Sequence, residues 1–108
     1  MQVSIEAPDP MPALPAAIEV AVYRIVLEAV TNVGRHAGAH TCRIHLSIDS
    51  TLCLTIEDDG RGLSSSYVPG VGLSSMRERA TELGGTCKIE RRNPGGTRVR
   101  VQLPLAWE

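Results

Sequence analysis

The sequence predicts an α+β domain of two layers: a mostly antiparallel mixed sheet with helices on one face. Three observations predict it. Residues 41–58 and 86–103 each contain two runs of alternating apolar and polar residues joined by turn-forming residues, the pattern of an antiparallel hairpin. Two other segments, one before each hairpin, carry apolar residues at helical spacing, so each presents an apolar stripe to a core. Helices that alternate with hairpins in this way pack together on the apolar face of one sheet.

The elements follow in order. Gln2 to Glu6 alternates Val3 and Ile5 with polar neighbours and forms a short strand. Pro8, Pro10 and Pro12 then interrupt both helix and sheet, so residues 7–13 form an extended connector. Pro15 suits the first turn of a helix, where its missing N–H costs nothing. That helix runs to about His36, and Gly38 supplies the stop. On a wheel of about 100° per residue, Ile18, Val22, Ile25, Val26, Ala29 and Val33 make one apolar stripe. Val20, Tyr23, Leu27 and Val30 make a second patch on the far side. Either another helix of the domain covers that patch or it is a docking face for a partner domain.

Thr41 to Ile48 points Cys42, Ile44, Leu46 and Ile48 inward, and Asp49-Ser50 turns the chain into Thr51 to Asp58. Residues 64–69 are polar and aperiodic and read as a mobile loop. Gly70-Val71-Gly72 leads into a second amphipathic helix through Leu73, Met76, Ala80 and Leu83, ended by Gly84-Gly85. Thr86 to Arg91 and Thr97 to Leu103 close the chain as a hairpin across Asn93-Pro94-Gly95-Gly96.

One hundred and eight residues suffice for one core and are too few for two, so 1–108 reads as a single domain. The net charge of −1 and the lack of a basic run argue against a general nucleic-acid or membrane-surface binder. No apolar run approaches the ~20 residues of a membrane span, and no signal-peptide pattern opens the chain. Cys42, Cys53 and Cys87 fall in expected strands without a close-spaced pair. Buried or half-buried thiols in a reducing, cytosolic compartment fit them better than a bridge or a zinc site.

Candidate chemistry centres on Ile56-Glu57-Asp58-Asp59-Gly60-Arg61-Gly62. Counting by twos, Leu52, Leu54, Ile56 and Asp58 share the buried face of a strand. A carboxylate there demands a donor from the protein or from a ligand. A plain strand end followed by an Asp-Gly turn is the alternative. Gly70-Val71-Gly72 before a helix could rest phosphates on backbone N–H groups. It is no dinucleotide fingerprint, since Ser75 stands at the third glycine, and no P-loop, since the Gly-Lys-Ser/Thr ending is missing. It equally reads as a hinge. Glu28 and Asn32 lie one helical turn apart with Arg35 and His36 following. One or two such oxygens suffice for a Mg²⁺ that carries phosphates, although the same four residues also fit a solvated helix edge. His36, His40 and Cys42 match no zinc spacing, and Asp58-Asp59-Gly60 lacks the ligands of an EF-hand.

In this order the residues resemble a known family. Glu28-x-x-x-Asn32 with Arg35-His36-Ala37 resembles the N-box of the ATP-binding domain of sensor histidine kinases. Asp58-x-Gly60-x-Gly62 resembles the G1 box, Gly70-x-Gly72-Leu73 the G2 box, and Gly95-Gly96-Thr97 the terminal Gly-Thr element. The likeness runs from about Leu14 to Leu105, and the stretch from Gly72 to Ala80 is similar to the branch of nitrate sensors and membrane-fluidity sensors. Gyrase, mismatch-repair and Hsp90-type ATPases share the fold, called the Bergerat fold, but that stretch looks like the kinase version.

The resemblance implies a protein-histidine kinase domain that positions Mg-ATP for transfer of the γ-phosphoryl to a histidine on a separate dimerisation hairpin. Asp58 would accept a hydrogen bond from the adenine amino group, with Gly60 and Gly62 letting the backbone pass close to the base and Thr97 supporting it. Asn32 would hold Mg²⁺, with Glu28 positioning a metal-bound water or assisting transfer, and Arg35 and His36 near the phosphates. Residues 63–71 would form the ATP lid, with Gly70 and Gly72 as its hinge and Leu73 beside the nucleotide. The phosphate-accepting hairpin has no counterpart here, so the chain reads as an excised catalytic domain. Its expected partners are ATP, that hairpin and, indirectly, a response regulator, with no nucleic acid and no membrane. The expected location is the cytoplasmic side of a bacterial sensor. The alternative is a nucleotide-binding regulatory module without transfer activity.

Overall fold

The computed structural model describes residues 2–34, 38–60, 71–91 and 95–105, and for 71–75 the backbone alone. Its elements are β1 (Gln2–Glu6), α1 (Ala16–Asn32), β2 (Thr41–Ile48), β3 (Thr51–Asp58), α2 (Val71–Glu82), β4 (Thr86–Arg91) and β5 (Thr97–Pro104). One five-stranded sheet has the order β1-β2-β3-β5-β4. Only β1 and β2 are parallel, and the other three pairs are antiparallel. A parallel pair needs a crossover, which α1 supplies. The expected mixed sheet with helices on one face is what the chain forms.

Strand periodicity sets the register. Cys42, Ile44 and Leu46 are buried on β2, with Leu52, Leu54 and Ile56 on β3 and Val99, Val101 and Leu103 on β5. They face Ile18, Ala21, Ile25, Ala29 and Val33 of the first helix and Met76 and Ala80 of the second. Burying a Leu or Ile side chain of this kind stabilises by about 1.5–3 kcal/mol, so these rows fix which face each strand turns inward. Asp49 and Ser50 make the β2–β3 turn, and Ile48 pairs with Leu52 beside it. Leu105 N–H donates to the Ser50 carbonyl and ties the chain end to it.

Both helix ends have physical causes. The Pro15 carbonyl accepts the N–H groups of Ile18 and Glu19 and opens α1. The α-helix proper ends at Asn32 and Val33-Gly34 continue as a wider turn, while the expected end at about His36 lies outside the described residues. At the end of α2, Gly84 takes φ 76°, while Gly84 N–H reaches the Thr81 carbonyl and Gly85 N–H the Ala80 carbonyl. That is a glycine-terminated cap of the Schellman kind.

Two expectations are corrected. Among the described residues no helix covers Val20, Tyr23 and Leu27 on the second apolar face of α1, which are 52%, 68% and 52% exposed, whereas Val30 is half-buried against the core. The helices lie side by side in one layer, so α2 screens only the flank of α1 and not the face turned from the sheet. Gly72 is the second residue of α2 and not a hinge ahead of it, because a first turn whose N–H groups lack intrahelical partners tolerates glycine. The edge strand adds a related feature. Val3 and Ile5 point to the same face as their partners Cys42 and Ile44, yet both remain exposed, since the helix layer stops short of β1.

Candidate functional site

At the end of β3 the alternation that buries Leu52, Leu54 and Ile56 carries one residue further and buries Asp58, 4% exposed. It is the one buried charged residue among those described. Its neighbours follow from pairing: Asp58 stands opposite Cys42 on β2 and Thr97 on β5, and Thr97 stands opposite Arg91 on β4. The row Cys42, Asp58, Thr97, Arg91 thus crosses four strands at one end of the sheet. Gly60 N–H donates to Asp58 Oδ1 at 2.9 Å, an Asx-type turn that fixes the carboxylate relative to the backbone that leaves the strand.

Two further contacts hold this turn. Asp59 Oδ1 accepts the N–H of His40 at 2.8 Å and of Thr41 at 2.9 Å, fastening the turn to the start of β2. The Thr41 N–H foremost holds the Asp59 carboxyl below its ordinary range; desolvation opposes it, and the His40 N–H adds to the lowering. On the other side, Gly96 takes φ 105° and packs so tightly that a Cβ would overlap the Asp58 carbonyl. One pair beyond Asp58 and Thr97, Arg98 Nε donates to Glu57 Oε1 at 3.1 Å on the outer face and pins β5 to β3 in that register.

Cys42 lies beneath the same corner. Burial pushes its thiol up, and the negative charge of Asp58 pushes it further the same way. It is a neutral, apolar floor to the row.

Of the residues singled out from sequence, Asp58, Gly60 and Thr97 come together at this corner. Glu28 and Asn32 are half-buried on the last turns of α1, flanking the buried Ala29 and Val33. Gly72 and Leu73 lie in the first turn of α2. Arg35, His36, Gly62, Gly70 and the lid segment 63–70 lie outside the described residues. Among the described residues no three His, Cys, Asp or Glu side chains gather to hold a metal. The oxygen-bearing side chains of Glu28 and Asn32 suit a hard cation that keeps most of its shell as water and phosphate, and do not suit a protein-caged zinc or calcium. Sequence reasoning missed Asp59 and Gly96 as parts of the site. A second carboxylate next to Asp58 was visible, but its bonds reach back 18 and 19 residues. Gly96 was legible only as part of the Gly95-Gly96-Thr97 run.

Comparison with known proteins extends this picture. The profile of the family described as histidine kinase-, DNA gyrase B-, and HSP90-like ATPase matches residues 17–106. Sensor histidine kinase YxjM of Bacillus subtilis is 38% identical over 92 residues, covering 84% of this chain and 22% of that protein. UhpB of Salmonella typhimurium, a signal transduction histidine-protein kinase/phosphatase, is 42% identical over 97 residues, covering 88% and 19%. The chain therefore spans about a fifth of the length of these relatives. Among solved structures, the histidine kinase domain of the blue-light activated kinase from Erythrobacter litoralis EL346 superposes with a TM-score of 0.83 at 25% identity, over 96% of this chain and 51% of that one. The ATP binding domain of PrrB from Mycobacterium tuberculosis, at 24% identity and TM-score 0.72 over 99% and 82%, shares the fold.

Proposed function

The chain belongs to the family of histidine kinase-, DNA gyrase B-, and HSP90-like ATPases, and from that premise we propose that it is the ATP-binding catalytic domain of a bacterial sensor histidine kinase. It positions Mg-ATP for transfer of the γ-phosphoryl to a histidine on a dimerisation hairpin. The observation that carries this reading is Asp58: a buried carboxylate at the mouth of a strand, fixed by Gly60 N–H and facing Thr97. The oxygens of such a carboxylate accept more than one hydrogen bond, and the exocyclic amine of adenine is a donor of the right kind.

The roles of the other residues follow. Asp58 accepts from the adenine amino group, the Thr97 hydroxyl supports the base, and Gly60 and Gly62 admit the backbone close to it. Asn32 would hold Mg²⁺, which supplies charge neutralisation for the phosphates, with Glu28 positioning a metal-bound water or assisting transfer. Arg35 and His36 meet phosphate oxygens, and residues 63–71 close over the nucleotide with Gly70, Gly72 and Leu73 at their end. Phosphoryl transfer depends mainly on positioning and on stabilising charge, so this cradle needs no nucleophile of its own. The sequence from Gly72 to Ala80 supports placing the domain in the branch of nitrate and membrane-fluidity sensors.

The exposed face of α1, with Val20, Tyr23 and Leu27, is the docking surface for the hairpin, and the response regulator is served through that hairpin. Among the described residues no helix is long and apolar enough to cross a membrane. A cytoplasmic place fits a domain that draws on ATP.

The test is titration of Mg-ATP by calorimetry into the wild-type chain and into Asp58→Ala, with GTP as control. ATP binding that excludes GTP and is lost in a folded Asp58→Ala supports the reading. A folded wild type that ignores ATP overturns it. Binding without transfer to any supplied hairpin leaves a regulatory nucleotide module instead.

A further inference from the structure

We infer that Asp59, which follows the adenine-reading carboxylate, is a positioning residue for nucleotide binding. It locks the Asp58 turn onto the start of β2. The inference rests on the reading of Asp58 as the adenine acceptor and adds a residue that acts through it.

The geometry is specific. The β2–β3 ladder ends at the pair Cys42 and Asp58, so no further strand pairing holds the chain where it turns. Asp59 takes over at that point. Its backbone N–H reaches the Thr41 carbonyl at a long 3.4 Å, while its carboxylate Oδ1 accepts both His40 and Thr41 N–H groups at 2.8 and 2.9 Å. Charge-assisted bonds of that length are about twice as strong as neutral ones. The anchor itself is held on its far side, because Gln2 N–H donates to the His40 carbonyl at 2.9 Å and joins it to β1. Gly96 closes the turn from the β5 side by packing on the Asp58 carbonyl and the Asp59 Cα. Asp58 is therefore gripped between two neighbouring strands, and on the β2 side, past the Cys42 pair, the two short bonds to the turn are both made by the exposed Asp59 carboxylate. The lowered pKa of Asp59 agrees with a carboxylate that stays charged to hold both N–H groups.

Asn keeps an oxygen that can accept both N–H groups, whereas Ala removes it. Calorimetric titration of Mg-ATP therefore separates positioning from general stability. Asp59→Ala is expected to bind about tenfold more weakly than the wild type, and Asp59→Asn within about threefold of it. Leu103→Val, which loosens the core at the far end of β5, lowers the melting temperature and leaves the affinity unchanged. If Asp59→Ala does not fold, Asp59→Glu replaces it, since its oxygens are displaced by a methylene with the charge kept, and the same loss is expected. A folded Asp59→Ala or Asp59→Glu with wild-type affinity, while Asp58→Ala has lost binding, overturns the inference alone. Asp59→Asn as weak as Asp59→Ala overturns it too. An Asp58→Ala variant that binds ATP as the wild type does overturns the reading of Asp58, and this inference with it.

Discussion

Gly96 packs against the carbonyl of Asp58 with no room for a side chain: a Cβ there would overlap the oxygen and lie 2.8 Å from the carbonyl carbon. Its φ of 105° is also a conformation that L side chains rarely adopt. Gly96→Ala is expected to cost about 2–4 kcal/mol in urea unfolding, combining the backbone penalty with displacement of the Asp58 turn. Gly84→Ala is the control. Gly84 has a positive φ of 76°, but its Cβ would meet only the Pro104 ring carbon at 3.7 Å, so about 1 kcal/mol is expected. Equal losses at the two sites would show that crowding at Asp58 contributes nothing.

Asp59 gives the acid side of the stability curve a definite sign. Its folded carboxyl lies below the ordinary value because the Thr41 and His40 N–H groups favour the charged form. Below about pH 4 the unfolded chain therefore binds the proton first, and stability rises with pH in that window. The contribution is present above the unfolded value and lost as pH falls through the folded one. Asp59→Asn has no proton to bind at that side chain. The gap in melting temperature between wild type and Asp59→Asn should be constant from about pH 7 to 5 and change below about pH 4. Parallel curves down to pH 2 would refute the assignment.

How much of this was legible in the sequence depended on the range of each interaction. Period-two alternation placed the β2–β3 and β4–β5 hairpins and turned Asp58 inward, because strand geometry acts between residues two apart. Placing β5 rather than β4 beside β3 was not legible, since hairpin signals report only pairing between consecutive strands. Periodicity also found the Val20, Tyr23 and Leu27 patch without saying what lies over it. A wheel describes one helix, whereas exposure depends on how the layer is filled. The Asp59 bonds were invisible for the same reason: carboxylate to backbone over 18 and 19 residues leaves no pattern in residue types.

Cys42 is 1% exposed, and burial and then the charge of Asp58 both raise its thiol pKa. Reactivity needs thiolate and access, and Cys42 has neither. Iodoacetamide at about pH 8 should spare Cys42 in the folded chain and modify it only in denaturant, while the half-buried Cys53 and Cys87 react before it. Peptide mass spectrometry decides. Rapid labelling of Cys42 in the native chain would show that this corner opens far more often than its packing implies.

Leu27 is half in solvent while Ile25, two positions earlier on α1, is fully buried, and that contrast separates folding from docking. Ile25→Ala should cost about 2–5 kcal/mol, since it empties a closed core. Leu27→Glu should change stability by no more than about 0.5 kcal/mol, since its side chain is already half in solvent. If the exposed face of α1 receives the dimerisation hairpin, the same Leu27→Glu places a charge in an apolar contact. Phosphorylation of the hairpin supplied in trans should then fall at least tenfold, with Mg-ATP affinity retained. Transfer at the wild-type rate by the folded variant would remove this face as the docking surface, because the buried charge it predicts could not be accommodated without loss.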